Sequence, residues 1–257
     1  MGPGKDMHHQ LKAAAVTQPV FIPLLLILVV TIITQLAHLA YNSSQDFQSI
    51  VLPSVLYLSA ITIPLGGLGI WLGRQLGLGT PLLAALLSKQ PGAWGKLLSD
   101  ARVATLLGLS MGVALVLLRE VTSSYLPPEI PAFGHRGFWG GLLVSAAAAV
   151  SEEVWFRLGI LTMLLWSIAR LSGRKSIAPS IAWPVIILVS IGFGLAHLPQ
   201  LNSYGAASPY AIWATIIGNS LVGTMYGWCY WRLSFIAAVI AHFSVDVVIH
   251  AIPALLT

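Results

Sequence analysis

Long apolar runs, separated by short breaks rich in charge, proline or glycine, set the pattern of this chain. A membrane-spanning helix needs about 20 mostly apolar residues. Runs of that order are Gln18 to Tyr41, Ile50 to Leu72, Val103 to Leu118, Gly137 to Ile168, Ile181 to Leu198, Pro209 to Tyr230 and Leu233 to Ile252. The fourth run is too long for one simple crossing, which predicts an interfacial turn near Phe138 and Trp139 or a helix projecting beyond the bilayer. Between the second and third runs, residues 74–102 hold apolar clusters around Leu82 and Leu97, too short to span and interleaved with Lys89, Lys96 and Arg102. That pattern predicts an interfacial amphipathic segment. The expected fold is all-α, a polytopic membrane helical bundle of about seven transmembrane helices plus the segment at about 74–102. No repeat or low-complexity tract divides it, so residues 1–257 read as a single integral membrane domain.

Composition agrees with that reading. The chain has 257 residues, 57% of them hydrophobic and only 8% charged, whereas about 25% of a soluble domain is charged. The formal net charge is +5, but its cations occupy short loops, where they set orientation rather than bind nucleic acid. Lys5 and Lys12 precede the first run, Arg74, Lys89, Lys96 and Arg102 follow the second, Arg170, Arg174 and Lys175 follow the fourth, and Arg232 follows the sixth. These are alternate loops, so seven spans place the N-terminus inside and the C-terminus outside. Nothing after the first run resembles a small-residue cleavage site, and it reads as a retained helix in the plasma membrane or another cellular membrane. Cys229 is the single cysteine, which excludes an internal disulfide and a cysteine-based zinc cluster.

Candidate chemistry lies where the apolar pattern is broken. Glu152, Glu153 and Arg157 are the only charged residues between Gly137 and Ala169. An ionised group near a bilayer centre costs at least about 2.5 kcal/mol, so such groups face a protein interior or a watery cavity and mark function. Residues four apart on a helix share a face, while neighbours point about 100° apart. Glu153 can therefore pair with Arg157 as an internal ion pair, leaving Glu152 free as a candidate general base. Phe193 and His197 share a face near the end of the fifth run, just before Pro199, and Gly192, Gly194 and Ala196 allow another helix to approach them. His242 and Asp246 stack in the last run. Each group alone has a structural reading, but ionisable residues in three separate runs are best satisfied by convergence on one shared site. The pairs Gly69 with Gly73, Gly108 with Gly112 and Gly223 with Gly227 read as helix-packing motifs, and Asn219 as an interhelical hydrogen bond.

Taken in order, Glu152-Glu153-x-x-x-Arg157, Phe193-x-x-x-His197 and His242-x-x-x-Asp246 resemble the three motifs of the CPBP family, also called Abi. That family comprises intramembrane glutamic endopeptidases and includes the type II CAAX prenyl endopeptidases. The segment from Gly223-x-x-x-Gly227 into His242 also resembles the family's pattern, and the resemblance spans about 137–252. It implies a metal-independent peptidase without a cofactor, acting on a membrane protein or lipidated peptide. In it Glu152 and His197 activate water, and the third motif, His242 with Asp246, stabilises the oxyanion, beside the Glu153 to Arg157 pair and the packing residue Phe193. One departure stands out: the prenyl endopeptidases carry Asn at the end of the third motif. An ionised Asp has no donor, so Asp246 is expected to orient His242.

Other readings remain open on the residues themselves. Glu152, His197 and His242 also form a His2Glu set that suits a catalytic zinc, although no HExxH supports it. A non-catalytic membrane scaffold or immunity factor could retain the same cluster for packing or partner binding. A transporter is disfavoured because no duplicated halves are visible.

Overall fold

The computed structural model describes residues 20–174 and 176–256. Lys5, Lys12, Gln18 and Lys175 lie outside the described residues. The described chain forms helices α1 (Phe21–Asn42), α2 (Phe47–Leu76), α3 (Pro81–Leu87), α4 (Ala93–Val121), α5 (Gly137–Leu171), α6 (Pro179–Leu195), α7 (Leu198–Ser203), α8 (Pro209–Arg232) and α9 (Phe235–Leu255). Among the described residues there is no strand. Six helices are long and apolar enough to cross a membrane, namely α1, α2, α4, α5, α9 and the α6–α7 stretch Pro179–Ser203. The remaining expected span is also a helix, α8. Its Thr215, Asn219, Ser220 and Thr224 make it more polar than the other six.

Boundaries shift where the sequence offered charges as breaks. Arg74 lies in the last turn of α2, residues 81–87 make the separate helix α3, and α4 begins at Ala93 rather than Val103. Lys96 bonds Asp100 one turn away, so both charges are accommodated within α4. Gly92, at a positive φ of 81°, turns the chain into it. The fourth run becomes one 35-residue helix. At 1.5 Å per residue this is about 50 Å, longer than a hydrocarbon core of about 30 Å. It projects or tilts, as the length of the run required.

Two helices are locally widened. In α5 the α-helical part Gly137–Glu152 gives way to a π-helix over Glu153–Leu161, and in α9 the part Phe235–Asp246 gives way to a π-helix over Val247–Ala251. Each wide turn begins directly after a carboxylate singled out in the sequence, and π segments recur at functional sites. Pro199 interrupts the fifth run, because proline supplies no N–H and clashes with the carbonyl four residues back. α6 therefore ends at Leu195 and His197 stands at the break.

α5 runs through the centre of the bundle. It packs against α1 and α2 on one side and α9 on the other, while α9 also meets α4 and α8, and α8 meets α6. Small residues permit these approaches: a Cβ on Gly69 would strike the Leu158 carbonyl, one on Gly108 the Ala241 carbonyl and one on Gly194 the Ile216 carbonyl. A Cβ on Gly192 would meet nothing within 4 Å and Ala196 is exposed, so Gly194 alone of that trio makes the expected close contact. Gly69→Ala should force α2 away from the π segment of α5. The expected loss is about 1 to 3 kcal/mol, seen as a lower thermal unfolding midpoint in detergent, and an unchanged midpoint would contradict this packing.

Candidate active site

The three polar groups converge between α5, α9 and the α6–α7 break. Glu153 and Arg157 are buried, with relative exposures of 0% and 1%. Arg157 Nη1 lies 3.1 Å from Glu153 Oε1, and Nη2 donates to the Gly223 carbonyl at 3.0 Å. The guanidinium also lies over the rings of Phe193, at 4.4 Å, and Tyr226, at 5.2 Å. Cation–π contact thus covers charge that would otherwise be bare. A Cβ on Gly223 would meet Arg157 Nη2 and Phe193, so this glycine makes room for the ion pair as well as for helix packing.

Glu153 has a second partner that sequence reasoning did not foresee. His242 Nδ1 is 2.9 Å from Glu153 Oε1. A carboxylate paired with Arg157 accepts, so Nδ1–H donates. The other ring nitrogen, Nε2, is 3.5 Å from Asp246 Oδ2 and 3.8 Å from Glu152 Oε2. The carboxylate nearest His242 is therefore Glu153, ahead of Asp246.

His197 arrives from the opposite side. Its Nδ1 lies 2.8 Å from the Phe193 carbonyl, which can only accept, so Nδ1 carries a proton. Nε2 is then the nitrogen left facing Glu152 Oε2, at 4.0 Å. Phe193 holds both imidazoles edge-on, at ring centroid distances of 4.7 Å from His197 and 6.0 Å from His242. Glu152 Oε2 itself has no hydrogen-bond partner among the described residues. Behind Glu152, the Gln35 amide donates to Ser151 Oγ at 3.0 Å, tying α1 to α5.

A cavity of about 710 Å³ opens beside these groups. Glu152, Phe193, His197, His242 and Asp246 line it, together with Gln35, Tyr226 and the exposed, apolar Trp213, Ile217 and Leu221 of α8. Glu152, Glu153, Arg157, Phe193, His197, His242 and Asp246 thus lie in one neighbourhood. Asn219 differs from expectation: its amide donates to the Thr215 carbonyl of its own helix, and the side chain lines the cavity. Tyr226, stacked on His242 at 4.4 Å and 13°, and Gln35 were missed. Neither is charged, and their positions in apolar helices resemble many others. Among the described residues no group of three His, Cys, Asp or Glu side chains is arranged to hold a metal ion.

An all-helical bundle with six membrane-length apolar helices and this internal polar cluster defines a multi-pass integral membrane protein. Residues 134–248, which carry every candidate site residue, match the family model described as Type II CAAX prenyl endopeptidase Rce1-like. The match covers somewhat under half of the chain, and the resemblance read from the three motifs is borne out. The match supports a protease of the CAAX endopeptidase kind, with the bilayer and a membrane-associated peptide as its surroundings. Neither a curated protein nor a solved structure matches the chain significantly.

Proposed function

We propose that the protein hydrolyses a peptide bond of a membrane-associated protein or lipidated peptide by glutamate- and histidine-activated water, without a metal. The observation that carries this reading is Glu152 Oε2, unpartnered at a cavity wall and facing Nε2 of both His197 and His242 at 4.0 and 3.8 Å. One water oxygen can sit about 2.8 Å from both Glu152 Oε2 and His197 Nε2, a normal hydrogen-bond length. The unprotonated Nε2 accepts a hydrogen bond from the water and holds the oxygen in place. Glu152 takes the other water proton as that oxygen attacks the peptide carbonyl carbon.

The carbonyl π electrons move to oxygen, forming a tetrahedral oxyanion. His242, flanked by the carboxylates of Glu153 and Asp246, carries both ring protons. Glu153 holds one, and the Nε2 proton meets the oxyanion. Collapse of the intermediate breaks the C–N bond, and Glu152 returns its proton to the departing amine. The products are a carboxyl group and an amine. Glu153 thus orients the imidazole at Nδ1, while Asp246 keeps Nε2 turned toward Glu152.

Chelation tests the metal-free part of the mechanism. The purified chain in vesicles should cleave a membrane-anchored quenched-fluorescence peptide at an unchanged rate after exhaustive removal of divalent ions. Loss of cleavage with recovery on adding zinc would overturn this mechanism in favour of a zinc site on Glu152, His197 and His242.

A further inference from the structure

The hydrolytic mechanism above leaves its oxyanion with one donor, His242 Nε2. An oxyanion site is effective when preorganised donors converge on the developing charge, and a single donor is sparse provision. Asp246, the other polar group at Nε2, only accepts when ionised. A second donor stands nearby. The Tyr226 side chain is fully buried, and its ring stacks on the His242 imidazole with centroids 4.4 Å apart and planes 13° from parallel. Tyr226 lines the cavity that Glu152, His197 and Asp246 also line.

Its hydroxyl has no hydrogen-bond partner among the described residues. A buried phenol usually finds a partner, and leaving one unpaired costs about 1 to 3 kcal/mol. The Arg157 guanidinium lies over the Tyr226 ring at 5.2 Å, and Asp246 lies 3.5 Å from the imidazole on which that ring stacks. Tyr226 therefore belongs to the same cluster that surrounds His242. Tyr230 on the same helix offers a contrast, since its hydroxyl is bonded to Thr162 and to the Gly79 amide. Tyr226 shares none of that structural bonding, and its free O–H is the kind of group a reacting substrate would satisfy.

We infer that Tyr226 is a catalytic residue whose hydroxyl donates to the peptide oxyanion beside His242, supplying the donor that Asp246 lacks. The inference rests on the glutamate-activated hydrolysis proposed above. No proton leaves Tyr226 in the step: the O–H lengthens toward the oxyanion as water adds, and relaxes when the carbonyl reforms and the C–N bond breaks.

The test uses the full chain in phosphatidylcholine vesicles. The probe is whichever of a set of farnesylated quenched-fluorescence peptides the unmodified chain turns over fastest. Tyr226→Phe keeps the ring stacked on His242 and removes only the hydroxyl. Its kcat should fall about a hundredfold, the size expected for one lost oxyanion donor, with KM within about twofold and the unfolding midpoint unchanged or raised. Full kcat in Tyr226→Phe, alongside an inactive Glu152→Gln, would overturn the donor role and leave the hydrolytic mechanism standing. Cleavage by Glu152→Gln would instead overturn that underlying mechanism. If Tyr226→Phe also lowers the midpoint, Asp246→Asn in the same background decides. Its amide restores a donor, so recovery of kcat by at least about tenfold supports the inference, and no recovery assigns Tyr226 to packing.

Discussion

Replacing Glu152 by Gln is expected to abolish peptide cleavage while leaving the chain folded and inserted. The change preserves the shape and most of the polarity of the side chain but removes the base. A positioned general base contributes about 10² to 10⁴ in rate, so kcat should fall by at least about a hundredfold. Glu152 Oε2 makes no hydrogen bond that the substitution would break, and Glu152 sits outside the buried pair of Glu153 and Arg157. Stability should therefore be nearly unchanged. His197→Ala should give a comparable loss, because Nε2 is the nitrogen turned toward Glu152. Rates on a quenched-fluorescence peptide, with the unfolding midpoint as control, check both. Comparing membrane proteomes with and without active Glu152 would name the accumulating precursors. Full biological activity in Glu152→Gln would refute the catalytic role and favour a scaffold or immunity factor.

The largest expected stability effect belongs to Arg157→Ala. Arg157 is 1% exposed and ties three elements together: Glu153 on its own helix, the Gly223 carbonyl on α8 and the Phe193 ring on α6. Its removal leaves the buried Glu153 carboxylate with His242 as its one remaining side-chain partner among the described residues, a loss of about 3 kcal/mol. The unfolding midpoint in detergent should drop sharply and purified yield should fall. Arg157→Lys should recover little, because a single ammonium cannot reach Glu153 and Gly223 together as the guanidinium fork does. Cleavage should fall too, since Glu153 also fixes His242 through Nδ1. A midpoint close to that of the unmodified chain would show that the pair contributes little to holding the bundle.

The pattern of apolar runs was enough to place nearly every helix, because a bilayer-length stretch of apolar residues has few alternatives to a spanning helix. Its errors fell where a charge was taken as a boundary. Lys96 sits inside α4 because its ammonium donates to Asp100 one turn on, a local pairing that reading each charge as a break does not register. The polar groups were legible for the same reason that the helices were: Glu152, His197 and Asp246 stand out against an apolar background. Tyr226 and Gln35 do not, since an uncharged residue in such a helix carries no comparable cost. Even the π turns after Glu152 and Asp246 leave no mark on periodicity over so few residues.

What the sequence determined by itself was the membrane bundle, the resemblance carried by its three motifs and the split between Glu153, paired with Arg157, and Glu152, turned elsewhere. Run length fixes the first and helical spacing along one chain fixes the last. Only the tertiary structure decided which carboxylate grips His242, which imidazole nitrogens face Glu152, and that Tyr226, its hydroxyl unbonded among the described residues, stacks on His242. Those facts depend on how α5, α6, α8 and α9 are rotated and spaced against one another. Packing at Gly69, Gly108, Gly194 and Gly223 sets that rotation, and sequence distance does not encode it.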